Sequence, residues 1–277
     1  MRIDAHQHFW RPARGDYGWL TPDAHPALCR DFGPEDLAPL LRKARVERTV
    51  LVQAAPTCAE TKYLLRIAQA TPFVAGVVGW TDLEAPEAPE RIRAMGEDPK
   101  LLGLRPMLQD LDDDAWILRP CVAPALDAIE AADLRFDALV KPRHLQSLVR
   151  LLERRPGLKV VIDHGAKPDI AGGGLADWAA AMRRLAAETD VVCKLSGLAT
   201  EAATGWDAEA LRPYVETLLE AFGPARLMWG SDWPVVNEAG GYAAWREAAE
   251  ALTAGCSAQD RALIFGGTAA AFYGLAA

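Results

Sequence analysis

The chain has no Cys-x-x-Cys pair, no basic run, no long apolar stretch and no glycine-rich turn behind its first strand. Each absence removes a class of protein. The five cysteines, Cys29, Cys58, Cys121, Cys193 and Cys256, are odd in number and widely spaced. That excludes a disulfide framework or a zinc knuckle and predicts reduced thiols. Lysines and arginines come no denser than pairs such as Arg183-Arg184, and the net charge is −8. An acidic surface without a basic patch is a poor partner for nucleic acid or an anionic membrane. No apolar run approaches the roughly 20 residues of a spanning helix, and no basic-then-apolar leader precedes the first strand. The expectation is a soluble, cytoplasmic protein.

What is present is a regular alternation. The 277 residues are half hydrophobic, enough for one large core, and residues 1–277 are expected to form a single domain. After an opening strand at 2–8, β-branched and apolar runs at 49–53, 74–80, 101–105, 135–140, 158–163, 190–196 and 226–232 read as strands buried on both faces. Helical spacing is found from Pro34, and at 61–70, 91–95, 124–132, 144–154, 178–187, 212–222, 242–252 and 257–265. Eight strands alternating with helices predict an α/β protein, a single (β/α)8 TIM-type barrel. The alternative, a doubly wound open sheet, usually carries a phosphate-binding glycine turn after its first strand; here a histidine pair takes that place. Residues 10–30, rich in aromatics and proline, are expected to form a loop over the mouth.

A barrel of this kind places its site at the C-terminal ends of the strands. His6 and His8 are two apart on the first strand and so share a face, with Asp4 expected beneath them. Other strands end in Gln53, in Arg105, in Asp163-His164, in Lys194 and Ser196, and in Asp232. His6, His8, His164 and Asp232 make a convergent set of three nitrogens and one oxygen, suited to one zinc or manganese ion with a position left for water. Arg105 is expected to bind a substrate oxygen or to lock a neighbouring acid. Lys194 is expected to polarise a carbonyl or to pair with Asp232. His25 lies in the presumed lid, and His144, at a helix start, reads as packing. Trp10, Trp80 and Trp233 follow strand ends and would wall a sugar-sized pocket, whereas Trp178, Trp206 and Trp245 read as packing.

Three stretches together, Asp4-Ala5-His6-Gln7-His8-Phe9-Trp10, Asp163-His164-Gly165-Ala166-Lys167-Pro168 and Gly230-Ser231-Asp232-Trp233-Pro234, resemble the amidohydrolase superfamily. Within it they resemble the branch of sugar-acid lactonases, over the whole chain. The resemblance implies that His6, His8, His164 and Asp232 are the reaction centre, with Asp232 and His164 catalytic and Asp232 the base for an attacking water. It implies an aldonolactone substrate met by Arg105, Lys194, Gln53, Trp80, Trp233 and His25. No lysine stands where a carboxylated bridge between two metals would be, which argues against a binuclear site. The single ion need not be required, because three histidines can polarise a carbonyl. A metal-dependent decarboxylase of the same superfamily and a non-catalytic sugar-binding protein are the alternatives.

Overall fold

The computed structural model describes residues 1–275. Eight short strands follow one another: β1 (Ile3–Gln7), β2 (Arg48–Val52), β3 (Val74–Gly79), β4 (Leu101–Leu104), β5 (Arg135–Ala138), β6 (Val160–Ile162), β7 (Val192–Leu195) and β8 (Leu227–Trp229). They form one sheet in sequence order, with each neighbouring pair parallel. The seam between β8 and β1 closes just past the strand ends. There the Asp232 amide donates to the His6 carbonyl at 2.8 Å, and the His8 amide to the Trp233 carbonyl at 2.7 Å. The expected (β/α)8 barrel is the architecture, and its seam lies at the mouth.

The crossovers are α1 (Pro34–Ala44), α2 (Cys58–Ala70), α3 (Ala88–Met95), α4 (Ala123–Ala131), α5 (Leu145–Arg154), α6 (Ala176–Glu188), the short α7 (Leu198–Glu201), α8 (Ala208–Phe222) and α9 (Gly241–Leu252). Two helices start earlier than their apolar spacing suggests because polar caps extend them. Thr57 accepts from the Glu60 amide ahead of α2, and Asp207 from the Ala210 amide ahead of α8. The helix expected at 257–265 is instead α10 (Ala258–Ala262), a wide turn at Leu263–Gly267, and α11 (Thr268–Tyr273). The pair Gly266-Gly267 interrupts the helical run.

Ile3, Ala5, Val50, Val52, Val78, Val161 and Met228 form one buried cluster, joined by Ala269 and Tyr273 of α11. Fully burying one such side chain stabilises by roughly 1.5–3 kcal/mol. A second, larger cluster joins the other strand faces to the helices, as where Leu51, Phe136 and Leu195 pack with Leu64, Leu148 and Leu218. No helix among the described residues is long and apolar enough to cross a membrane.

The segment between β1 and α1 is pinned at its base by reciprocal backbone bonds between Trp10 and Phe32, 3.1 and 3.0 Å. It is tied down on both flanks. Trp19 Nε1 donates to the Ala54 carbonyl beyond β2 at 2.8 Å, and His25 Nδ1 meets Glu238 beyond β8 at 3.0 Å. The segment expected to form a loop is thus a compact one, held at its base and on both flanks.

Candidate active site

At the mouth, β1 does something a regular strand cannot. Its register slips between Asp4 and Gln7. Ala5 stays with the valine cluster, yet His6, the next residue, reaches Lys194 of β7, with Nδ1 3.1 Å from Nζ. The irregularity therefore brings two consecutive side chains to the interior. It also moves Asp4, which does not lie beneath the histidines as alternation predicts. Its carboxylate accepts the Ser231 amide at 2.8 Å and the His6 amide at 3.2 Å, and Tyr242 of α9 is its neighbour. Burial raises the Asp4 carboxyl to about 6, against those bonds. Its work is to hold the ends of β1 and β8 together.

His6, His8, His164 and Asp232 do converge. Asp232 Oδ1 lies 3.2 Å from His8 Nε2, 3.7 Å from His6 Nε2 and 3.9 Å from His164 Nε2. His6 and His8 are 3.2 Å apart through their Nε2 atoms. All four are buried; Asp232, the most accessible, is 5% exposed. His8 Nδ1 donates to the Val52 carbonyl at 2.8 Å, and its Nε2 is turned toward the others. His164 Nδ1 meets Ser196 Oγ at 2.9 Å.

The backbone behind this layer is under constraint. His164, Gly165, Ala166 and Lys167 all have positive φ, and Asp232 does too, at 56°. For a residue with a Cβ, the left-handed conformation costs roughly 1–2 kcal/mol. Such outliers cluster where surrounding structure over-determines a functional geometry. Two glycines make the room. A Cβ on Gly197, whose φ is +66°, would lie 2.6 Å from the His164 Cβ, and one on Gly230 would lie 2.7 Å from the His6 Cβ. Only glycine lets the β7 and β8 backbones come this close to the two rings.

Beneath the four lies a layer of ion pairs. Lys194 Nζ is 2.5 Å from Asp137 Oδ2 and 3.0 Å from Asp163 Oδ1. Arg105 Nη1 is 3.3 Å from Asp163 Oδ2, and its Nη2 donates to the Gln53 carbonyl. Tyr273 of α11 reaches up the barrel to donate to Asp137 Oδ2 at 2.8 Å. Lys194 thus pairs with Asp137 and Asp163 rather than Asp232, because it leaves β7 below the mouth, level with those two acids. The Gln53 side chain likewise serves the protein, donating to the Arg105 carbonyl at 2.8 Å.

These surroundings set the protonation states. Burial raises the Asp232 carboxyl, but the pull of His164, the hydrogen bond from His8 and the charges of His6 and His8 outweigh it and hold the acid below the usual carboxylate range. Burial lowers His164 to about 4, against Asp232 and Asp163, and lowers His6 well below the imidazole range with Lys194 adding to the effect. Asp163 is held low despite burial by Lys194, His6 and Arg105. At neutral pH Asp232 is ionised and the His6 and His164 rings are neutral.

The remaining expected residues lie around this centre. Trp80 lines a recess of about 530 Å³ with Trp19, Met107, Trp116, Asp16 and Asp82. His25 lines another, about 790 Å³, with Lys167, Glu201, Trp206 and Glu238. Trp233 is no pocket wall: its ring is 2% exposed and packs edge-on against Phe9 and Phe32. Trp10 is buried as well and anchors the loop by donating to the Leu28 carbonyl at 3.1 Å. His144 is a buried residue of the 142–144 turn, accepting the Lys141 amide at 2.9 Å, and Trp178 and Trp245 are core. Asp137, Tyr273 and Glu60 were missed. Glu60 accepts the amides of Ala54 and Ala55 and is raised to about 7 by burial. A charged residue on a strand buried on both faces demands a partner, and that signal was available for Asp137 opposite Lys194.

The architecture and the order of the three mouth motifs agree with a family model described as amidohydrolase, which matches residues 3–275. The chain belongs to the amidohydrolase family. Among curated relatives of this amidohydrolase, an L-fucono-1,5-lactonase of Burkholderia ambifaria is 51% identical, the alignment covering 99% of this chain and 95% of that protein. A second L-fucono-1,5-lactonase, from Burkholderia multivorans, is 40% identical, covering 99% and 96%. Among solved structures, an amidohydrolase from Burkholderia multivorans with bound zinc superposes over 100% of both chains with a TM-score of 0.94 and 39% identity.

In this amidohydrolase the donor set is compatible with a metal. His6, His8 and Asp232 offer ligand atoms all within 4.8 Å of one another, as do His6, Asp163 and His164. Buried neutral imidazoles with one carboxylate are the donors zinc prefers.

Proposed function

We propose that the protein hydrolyses a sugar-acid lactone, an L-fucono-1,5-lactone or a close analogue, to the open acid. The observation that carries this reading is Asp232 Oδ1, held within 3.2–3.9 Å of three histidine Nε2 atoms in one buried cluster. The two lactonase relatives supply the substrate class.

The chemistry follows from the residues. Asp232, ionised because its neighbours hold it so, takes a proton from a water that attacks the lactone carbonyl carbon. Negative charge then grows on the carbonyl oxygen, and imidazole N–H groups beside it stabilise that charge in a buried site. Asp232 returns the proton to the ring oxygen as the acyl–oxygen bond breaks. Lactones are activated esters, so a weak base suffices. His6, His8, His164 and Asp232 are the residues that would hold a divalent ion, zinc or manganese. Such an ion, when bound, would supply Lewis-acid polarisation of the carbonyl. The recess beside Trp80, with aromatic faces and carboxylates, suits the ring and hydroxyls of a sugar, and His25 borders the opposite recess.

The electrostatics favour a neutral substrate. Arg105 is committed to Asp163 and the Gln53 carbonyl, and Lys194 to Asp137 and Asp163. Both cations at the centre are thus already charge-paired with buried carboxylates, whereas an aromatic-acid decarboxylase would need a cation to clamp its substrate's carboxylate. The test is a panel of aldono-1,5- and 1,4-lactones followed by acid release, with and without chelator. L-Fucono-1,5-lactone or a stereochemical neighbour should be the best substrate. Failure to open any member faster than the buffer does would end the proposal.

A further inference from the structure

Glu60 stands in the first turn of α2 and is fully buried. Its carboxylate is met by backbone amides: Oε1 accepts from Ala54 at 3.0 Å and Oε2 from Ala55 at 2.8 Å. A buried charge is costly unless hydrogen bonds meet it. Burial pushes this acid up to about 7, against the two amides, the neighbouring Tyr17 and the charge of Arg105. These are not the bonds of an ordinary helix cap. Thr57 already caps α2, accepting the Glu60 amide at 3.0 Å. An acid in the third helical position usually reaches back to the amide of the capping residue. Here the Thr57 amide donates to the Ala55 carbonyl at 2.9 Å instead. Glu60 reaches past it to hold the turn that leaves β2.

The Trp80 recess is hung on that turn and on the residues beside it. Pro56 belongs to the turn and lines the recess. Trp19, another wall, donates its indole N–H to the Ala54 carbonyl at 2.8 Å. Asp16 accepts from Thr57 Oγ1 at 3.1 Å, and Met107 Sδ lies 3.2 Å from Gln53 Nε2. Trp80 is fixed one residue along the helix from Glu60. The Thr61 hydroxyl accepts its amide at 2.8 Å and donates to its carbonyl at 3.0 Å. The walls come from four stretches of chain, and all of them are tied to the first turn of one helix or to the turn before it.

We propose that Glu60 is a positioning residue: by holding the Ala54 and Ala55 amides it sets the shape of the Trp80 recess, and through it KM rather than kcat. This rests on reading that recess as the seat of the sugar ring. Glu60 itself touches neither the ring nor the reacting atoms. It acts through the Ala54 carbonyl on Trp19 and through the turn on Pro56, while Asp232 and the three histidines stand on other strands.

The test joins a readout that needs no substrate to one that does. Glu60→Gln keeps the length of the side chain, but its amide nitrogen cannot accept, so one of the two backbone amides loses its partner. In 15N-labelled protein the Trp19 indole signal is identified by its loss in Trp19→Phe. In Glu60→Gln it should shift and exchange with solvent about tenfold faster or more. The Trp178 and Trp245 indoles, bonded to the Gly165 and Gly230 carbonyls beside the reaction centre, should stay where they are. On the best lactone KM should rise about tenfold with kcat within about twofold of wild type. Combined with Trp19→Phe, the rise should be smaller than the product of the two single effects, because both break one link. An unmoved Trp19 signal overturns the proposal, and so does an unchanged KM or a loss carried by kcat. Movement of all three indoles would mark general loosening and overturn it too. Should Glu60→Gln not fold, Glu60→Asp, which keeps the charge and falls a methylene short of the amides, is read in the same way. A chain inactive on every lactone fails the functional proposal alone, and the Trp19 signal still decides whether Glu60 sets the recess.

Discussion

The two polar layers at the barrel mouth are built from the same residue types and behave in opposite ways. In the lower one, Arg105 and Lys194 are paired with Asp137 and Asp163, although Arg105 Nε, Asp137 Oδ1 and Asp163 Oδ1 are left without a hydrogen bond. In the upper one, one carboxylate faces three imidazoles whose bonds to the protein run through Nδ1, so that the Nε2 atoms converge on a common space. The lower layer spends its polarity on geometry, while the upper keeps it for a ligand. A buried ion pair is a weak source of stability because desolvation offsets most of the attraction. The lower layer therefore matters chiefly by fixing where the upper one points.

That contrast predicts losses of different kinds. Asp232→Asn keeps the size of the side chain but not its ability to take a proton. Turnover on the best lactone should fall by roughly 10²–10⁴, while the variant still unfolds cooperatively and still binds the lactone. Steady-state kinetics beside a denaturant titration would show this, and an Asn variant that retains most of its kcat would place the base elsewhere. Lys194→Met should do the reverse in kind, leaving buried Asp137 without a cation and Asp163 with Arg105 alone. A stability loss of about 3–5 kcal/mol is expected, read as a lower denaturation midpoint, with much of it restored by adding Asp137→Asn. If the single variant were as stable as wild type, Lys194 would not be holding the lower layer's charges as described.

Gly197→Ala should touch both layers less severely. The added methyl meets the His164 Cβ at 2.6 Å in a left-handed backbone. It should cost about 1–2 kcal/mol in stability and about 10–100-fold in kcat through displacement of the ring. A variant with normal kcat would show that the position of His164 tolerates more than the packing suggests. The mildest probe is pH. His164, lowered to about 4, is neutral above that value, and Asp232, lower still, remains ionised. The rate should be level from about pH 5 through neutrality and fall as pH drops through about 4, when His164 gains its proton. A limb near the ordinary imidazole value would mean that His164 is more solvated than its burial implies.

The barrel was legible because parallel strands covered on both faces read as apolar runs, and because their polar ends stand out against those runs. His6, His8, His164 and Asp232 could be paired across the chain on that ground. What could not be read were features that depend on a register slip or a close approach. The side taken by Asp4 turns on one irregularity in β1 that periodicity does not reveal. Trp233, adjacent to Asp232, looked like a pocket wall, but the turn after Asp232 sends its ring into the aromatic packing instead. Asp137 is different: a charge on a strand buried on both faces signals a partner, but the alternation of Arg135-Phe136-Asp137-Ala138 mimics a half-exposed strand and masks it. Tyr273 lies in a short terminal helix with nothing local to link it to a site at the other end of the barrel.

The seam between β1 and β8 has a consequence for the making of the protein. His8 and Asp232 are 224 residues apart, and the backbone bonds that bring them together are the same ones that shut the barrel. During synthesis the histidine pair leaves the ribosome early and waits for nearly the whole chain before its carboxylate appears. Any partly made or unclosed form therefore lacks the complete centre, and catalytic competence arrives in a single late step. A chain ending before its last strand would carry His6, His8, His164 and the paired Arg105, Asp137, Asp163 and Lys194, and would lack the carboxylate that completes the centre.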